Sequence, residues 1–266
     1  MAGGAAVSGN DAPAAAAWHI EEHACVDSTN SRALEIARAR LANGESADRL
    51  AVIAQRQSAG RGQHGRTWES PPGGLYLSAI VTDVAAAWRD RLALAGGAAA
   101  LRALRAIGAA GLGMWWPNDV MLADRKVGGI LCESAALGEA WAGVIGVGIN
   151  VSTDVAELPA RATALAAAMG RAVAVREVGE AFLRALDETM AEMRAGGLAA
   201  VLAFLGKYDR LRGRRVSVQA DGREFSGVAG GMDAEGNLLV TIDGEARAFR
   251  AATLLAVGDQ RLRAAT

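Results

Sequence analysis

Arg61, Arg66 and Lys126 are basic side chains set among glycines, and that combination suits an anion. The two arginines lie in Gln57-Ser-Ala-Gly-Arg-Gly-Gln-His-Gly-Arg-Thr-Trp68, and the lysine opens Lys126-Val-Gly-Gly-Ile130, downstream of Trp116-Pro-Asn-Asp119. Glycine lets main-chain N–H groups close around an anion, while Arg and Lys supply the countercharge. Two such segments in one domain point to a phosphate-bearing, nucleotide-activated ligand.

Each segment also has a plainer reading. Gly60, Gly62 and Gly65 fit the spacing of a dinucleotide-binding turn, with Asp83 about twenty residues on. That turn must open a helix, whereas these glycines lead into Thr67-Trp68-Glu69-Ser70-Pro71-Pro72-Gly73-Gly74, which cannot form one. A Walker A lysine motif is absent. The loop is then a turn or an anion cradle, and its two arginines favour the cradle. Lys126 could be a solvated lysine at a strand start, or could deliver a mobile charge to an α-phosphate. Asn118 and Asp119 suit a turn, or could position a nucleotide or Mg²⁺. Asp27-Ser28-Thr29-Asn30 reads as an N-cap cluster, or as hydroxyls and an amide offered to a small polar ring. Gly146, Gly148 and Asn150 lie on a strand whose missing side chains leave room for a ligand or for close helix packing.

The elements that must position these groups follow from periodicity. Residues 18–26, 50–55 and 75–81 read as strands, and 31–41 as a helix with Leu34, Ala37 and Leu41 on one face. Residues 89–107 read as a helix interrupted by Gly96-Gly97. Strand candidates at 114–116, 128–133 and 141–147 follow, with a hairpin at 135–139. Helices at 175–193 and 198–208 come next, Val178, Phe182, Leu186 and Met190 lining one side. Beyond Gly213 the texture changes to short strands at 214–218, 224–231, 238–242 and 246–250, joined by Asp221-Gly222, Asp233 to Gly236, and Asp243-Gly244 turns. The expected organisation is a leader at 1–17, an α+β domain of mixed sheet and helices at 18–210, and a small β-barrel at 211–266.

Composition limits the function. The 266 residues are 52% apolar with a formal charge of −1, which argues against a general nucleic-acid binder. No uninterrupted apolar run is long enough for a membrane helix. Cys25 and Cys132 cannot make a disulfide framework, and His19, His23 and His64 lack metal-ligand spacing. A reduced, metal-free interior implies the cytoplasm, and the leader lacks the basic and leucine-rich regions of a signal peptide.

Taken in order, Ser28-Thr29-Asn30, the Gly-Arg-Gly loop at 60–68, Trp116-Pro-Asn-Asp119, the Lys126 to Glu133 segment and Gly146-Val-Gly-Ile-Asn150 resemble the biotin–protein ligases. The resemblance covers roughly residues 18–255 and is greatest to members lacking an N-terminal DNA-binding helix-turn-helix. It implies a class II synthetase-like catalytic fold, a mixed sheet backed by helices, followed by an SH3-like barrel. It implies that biotin carboxylate attacks the α-phosphorus of MgATP, giving biotinyl-5′-AMP, and that a lysine of a biotin carboxyl carrier domain then takes the acyl group. By the family's pattern Ser28, Thr29 and Gln57 meet the ureido ring, with Asn30 beside them. The backbone at Gly60, Arg61, Gly62 and Gln63, with Arg66 and Trp68, meets the carboxylate and adenylate side. The valeryl tail lies along Gly128, Gly129, Ile130 and Gly148, and Asn118 and Asn150 complete the set. Lys126, Arg61 and Asp119 are the catalytic candidates, Asp119 placing Mg²⁺ or orienting the incoming lysine. Related proteins can pair through the central sheet, so a homodimer is among the states the resemblance allows.

Many members carry arginine where this loop has Gln63. A charge-assisted hydrogen bond contributes about 1.5–3 kcal/mol, so the acyl-adenylate is expected to be held more loosely here. The rival readings are lipoate ligation or octanoyl transfer on the same fold, and a non-catalytic biotin-binding protein.

Overall fold

The computed structural model describes residues 17–262, so the expected leader lies outside the described residues apart from Ala17. The strands are β1 (His19–His23), β2 (Leu50–Ala54), β3 (Gly74–Val81), β4 (Leu112–Trp115), β5 (Asp119–Leu122), β6 (Arg125–Leu137) and β7 (Ala140–Asn150). They form one seven-stranded sheet in the order β1-β2-β3-β7-β6-β5-β4. Strands β1 and β2 are parallel and every other neighbouring pair is antiparallel, so the sheet is mixed. Helices α1 (Thr29–Ala42), α2 (Leu92–Ala106), α3 (Leu165–Met169), α4 (Val175–Gly196) and α5 (Leu198–Gly206) complete this part.

The two faces of the sheet are covered unequally. Helix α1 packs Ala33, Leu34 and Ala37 against Val52, Ile80 and Val144 in a small core. Helices α2, α4 and α5 cover the other face with a larger one, Leu101, Leu104, Phe182, Leu186 and Val201 against Leu75, Leu77, Ile130 and Ile145. All eight residues of β3 are buried, as a central strand covered on both faces requires. Gly96-Gly97, which weakened the helix reading, sits mid-α2 because a Cβ at Gly96 would press on Ile130 and Ile145, and one at Gly97 on Met114.

Several boundaries moved. Helix α1 begins two residues before the expected start, which places Thr29 and Asn30 in its first turn. Strand β5 escaped notice because turns enclose it, with Ala123 at positive φ closing the β5–β6 corner. The expected hairpin at 135–139 is shorter: β6 and β7 pair through Leu137 and Ala140, leaving Gly138-Glu139 as the turn. The Trp116-Pro117 peptide is cis.

The C-terminal strands β8 (Arg215–Ala220), β9 (Arg223–Met232), β10 (Leu238–Ile242), β11 (Glu245–Phe249), β12 (Thr253–Val257) and β13 (Gln260–Arg261) form an antiparallel sheet, order β11-β10-β9-β8-β12-β13. This is the SH3-like module, with β12 and β13 beyond the strands expected. Asp221-Gly222 and Asp243-Gly244 both take positive φ at both positions, the geometry of tight hairpin turns. The module is fastened to the larger sheet by Trp116 Nε1 donating to Gly236 O at 3.0 Å and Arg91 donating to Asn237 Oδ1 at 2.7 Å. An Arg250–Asp90 ion pair adds to these. Among the described residues no helix is long and apolar enough to cross a membrane.

Candidate functional site

The cleft lies on the α1 face of the sheet, where β6 and β7 carry glycine. Gly129 pairs with Gly148 across the two strands, leaving bare backbone as a floor. The Trp68 indole lies on it: a Cβ at Gly148 would stand 2.7 Å from Trp68 Cε2, and one at Gly129 3.4 Å from Trp68 Cζ3. Trp68 Nε1 is buried without a hydrogen-bond partner.

The arginine loop is a closed hairpin. Gly62 N donates to Arg66 O at 2.7 Å, Trp68 N to Gly60 O at 2.9 Å, and Arg61 bridges Thr67. His64 and Gly65 turn it at φ 58° and 73°. Ser58 N and Ala59 N donate to Val26 O and Asp27 O, which seats the loop beside the start of α1. No helix follows, as expected.

The N-cap reading of 27–30 needs correction. Ser28 occupies the N-cap position, but its side chain makes no capping bond. Gln57 does that work from outside: its Oε1 accepts from Thr29 N at 2.8 Å and lies 3.1 Å from Thr29 Oγ1. Its Nε2 donates to Ser70 Oγ at 2.8 Å. The Ser28 hydroxyl is thereby left for the cleft, which Ser28, Thr29, Asn30 and Gln57 line together.

The charged groups come as pairs. Lys126 Nζ lies 2.6 Å from Asp119 Oδ1 and 5.3 Å from the centre of the Trp68 ring. Arg61 lies 2.7 Å from Glu133 Oε2. All four side chains are partly exposed, between 26% and 41%. The backbone of Lys126 is fixed on both sides, N–H to Arg161 O and carbonyl from Thr163 N, so only its side chain is free to move. Asn118 is locked to Ile130 by two hydrogen bonds, Nδ2 to O and O from N, which sets the approach of Asp119 to Lys126.

Of the residues expected in the site, Ser28, Thr29, Asn30, Gln57, Arg61, Gly62, Gln63, Arg66, Trp68, Asn118, Asp119, Lys126, Gly129, Ile130 and Gly148 line this one cleft. Three do not. Gly60 is packed under the loop, where a Cβ would meet Ser70 Oγ at 2.7 Å. Gly128 is buried on the opposite side of β6 from Gly129, as strand alternation dictates. Asn150 is 3% exposed and donates to Thr163 O, bracing the segment that pairs with Lys126. Gly146, which the sequence offered as room for a ligand, and Trp116 of the Trp-Pro-Asn-Asp segment also line it; unexpected are Glu133, which holds Arg61, and Ala252, Thr253, Leu254 and Leu262 of the C-terminal module, which close one wall. Glu133 was findable by period-two counting from Gly129. The wall from the C-terminal module carried no local signal.

Cys132 faces away from this chemistry. Burial, with the neighbouring Glu133 charge second, holds its thiol well above the usual range, so it is no nucleophile at neutral pH.

Comparison with known proteins agrees with this geometry. Residues 23–150 match the model of the biotin/lipoate A/B protein ligase family. The chain is 32% identical to the biotin–[acetyl-CoA-carboxylase] ligase of Paracoccus denitrificans over 234 residues, covering 80% of this chain and 90% of that one. It is 34% identical to the bifunctional ligase/repressor BirA of Escherichia coli, covering 82% of this chain and 68% of that protein. The fold superposes on the Aquifex aeolicus biotin protein ligase in complex with biotin and ATP with a TM-score of 0.75, 25% identity, and coverage of 92% and 99%. With five ordered motifs gathered in one cleft and these relatives beside it, the chain belongs to the biotin–protein ligase family.

Proposed function

We infer that the protein is an ATP-dependent biotin–[acetyl-CoA-carboxylase] ligase, which forms biotinyl-5′-AMP and transfers biotin to a lysine of a biotin carboxyl carrier domain. The observation that carries the assignment of roles is the polarity of the cleft. A neutral, hydrogen-bonding wall (Ser28, Thr29, Gln57) and a glycine floor share one cleft with two cations, Lys126 beside Gly129 and Arg61 paired to Glu133. That matches a ligand with an uncharged polar ring, an apolar tail and a terminal carboxylate.

A carboxylate is a poor acyl donor until it is esterified to phosphate. Its attack on the α-phosphorus brings two anions together, and fixed positive charge lowers that barrier. Lys126 and Arg61 supply it, each exchanging its present carboxylate partner for substrate oxygens. Gln63, Arg66 and Trp68 flank the acyl-adenylate, and the free Trp68 N–H offers it a donor. Asp119, released from Lys126, orients the incoming lysine amine or an ATP-borne Mg²⁺. Among the described residues no group of three acidic, His or Cys side chains is placed to hold a metal. Magnesium would come with the triphosphate, and Asp119 is the side chain placed to meet it, a carboxylate that suits that ion. When bound it neutralises phosphate charge. The same reading divides the chain near residue 211, puts the protein in the cytoplasm, where ATP is made available and Cys25 and Cys132 stay reduced, and needs no nucleic acid. Pairing of two copies through the larger sheet is compatible with it.

The test is biotin-dependent exchange of labelled pyrophosphate into ATP, without carrier protein. Exchange with biotin and not with lipoate is expected. Exchange with lipoate would favour lipoate ligation, and none with either would favour a binding protein.

A further inference from the structure

Along the cleft runs a set of hydrogen bonds, partly exposed at Arg61 and Glu133 and fully buried at Ser78, that no substrate-contacting role accounts for. Glu133 Oε2 accepts from both Arg61 at 2.7 Å and Asn30 Nδ2 at 2.8 Å. The second Asn30 amide proton goes to Leu131 O at 3.2 Å. Ser78 Oγ stands 2.6 Å from Asn30 Oδ1 and 2.8 Å from Thr29 Oγ1, and Ser78 is fully buried in β3.

The groups that can only accept constrain the protons in this set. A carboxylate paired to arginine only accepts, so the amide nitrogen of Asn30 must face Glu133. Its oxygen then faces Ser78 and takes the single Ser78 proton. The Thr29 proton then has two takers, Ser78 Oγ at 2.8 Å and Gln57 Oε1 at 3.1 Å, and neither leaves it for the cleft. With that proton spent, and Gln57 Oε1 already taking the Thr29 N–H, Thr29 Oγ1 turns lone pairs to the cleft. It becomes an acceptor for a ligand N–H, the group a ureido ring carries.

Two glycines make room for this arrangement. A Cβ at Gly146 would overlap Asn30 Oδ1, with Asn30 Cγ only 2.9 Å away. At Gly60 a Cβ would meet Ser70 Oγ at 2.7 Å and Gln57 Nε2 at 3.1 Å, where the neighbouring chain from Thr29 through Gln57 to Ser70 ends.

We propose that Glu133, Asn30 and Ser78 are positioning residues which, from one carboxylate, both hold the Arg61 guanidinium beside the start of α1 and keep the Thr29 hydroxyl turned as a hydrogen-bond acceptor toward the cleft. The proposal rests on the biotin ligase reading. It couples recognition of the ring to placement of the catalytic charge through a single atom, Glu133 Oε2.

The test is steady-state pyrophosphate exchange with biotin and ATP varied separately, on wild type, Glu133→Gln, Glu133→Ala and Ser78→Ala, with thermal unfolding of each. Wild-type exchange comes first, and its absence would sink the ligase reading itself, whatever the variants do. Given exchange, Glu133→Ala raises the KM for biotin at least about tenfold and lowers kcat, because both partners of Oε2 are freed. Glu133→Gln keeps an oxygen for Asn30 and Arg61 without the charge, so its KM for biotin stays within about threefold while kcat falls. Ser78→Ala leaves the Glu133–Arg61 pair intact and raises the KM for biotin, with the KM for ATP and kcat little changed. Variants that lose melting temperature while both KM values and kcat stay at wild-type levels would overturn the proposal, as would a Glu133→Gln as damaged for biotin as Glu133→Ala.

Discussion

The two ends of the cleft are built by different physics. At the ring end Thr29, Asn30 and Ser78 are at most 4% exposed and linked by hydrogen bonds through Ser78, and Gly146 leaves the space that Asn30 fills. The charged groups of the cleft, Lys126, Asp119, Arg61 and Glu133, are about a quarter to two-fifths exposed and paired as ions, the second pair lying against Asn30. Buried neutral hydrogen bonds are costly to rearrange because nothing replaces a lost partner. Partly solvated ion pairs contribute little, about 0–1 kcal/mol each, and exchange partners readily. The ring end is therefore formed before ligand arrives. The charged groups are provisional, the cations held in place by carboxylates until phosphate displaces them.

The sharpest way to break that contrast is to remove one of the cations. Lys126→Ala should lower the adenylation rate by about 10²–10³, the usual loss for one electrostatic donor to developing charge. Biotin binding by calorimetry should survive within a few-fold, because the ring end does not include Lys126. A variant equally crippled in biotin binding would mean the two ends are not separable.

A smaller change at the provisional end adds a cation. Gln63 lines the cleft beside Arg61. Gln63→Arg should slow escape of biotinyl-AMP by about tenfold or more, since a charge-assisted bond contributes about 1.5–3 kcal/mol. Release of labelled adenylate from the enzyme reads this directly, and an unchanged off-rate would show that Arg66 or His64 already serves.

How much of this was legible in the sequence follows the same divide. Glycine-flanked Arg61 and Lys126 announce themselves because charge and backbone freedom are both local properties. Strand β3 and helix α4 were readable from apolar periodicity. Ser78 was not, because one serine in Gly74-Leu-Tyr-Leu-Ser-Ala-Ile-Val81 reads as a tolerated small residue until α1 is laid across it. Nor could Gln57 be seen to cap α1, since its partner Thr29 is 28 positions away in the chain. The wall from Ala252 to Leu254 depends on how the C-terminal module docks, which Trp116 and Gly236 settle at long range.

On the preformed end, Gly146→Ala is the corresponding break. The added methyl overlaps the Asn30 amide, which is pinned by Glu133, Leu131 and Ser78 and cannot step aside without orphaning one of them. Overpacking of this kind costs about 1–3 kcal/mol. Chemical denaturation should report that loss, and the KM for biotin should rise with it while the KM for ATP holds. A stable Gly146→Ala protein with normal biotin affinity would mean the Asn30 network tolerates displacement, and the ring end is softer than its burial implies.

The mildest probe alters no residue. Raising ionic strength from ~0.1 to ~1 M shortens the screening length from about 10 Å to about 3 Å, which weakens attraction between exposed charges and leaves buried neutral bonds alone. The KM for ATP should therefore climb about threefold or more, since the approaching triphosphate is drawn by Arg61, Arg66 and Lys126. The KM for biotin, set mainly where Thr29 and Gln57 meet the ring, should move less than about twofold. Equal shifts in both constants would place a screened charge in ring recognition. The candidate would be Glu133, whose one oxygen joins the ends, and the contrast between them would reduce to that shared atom.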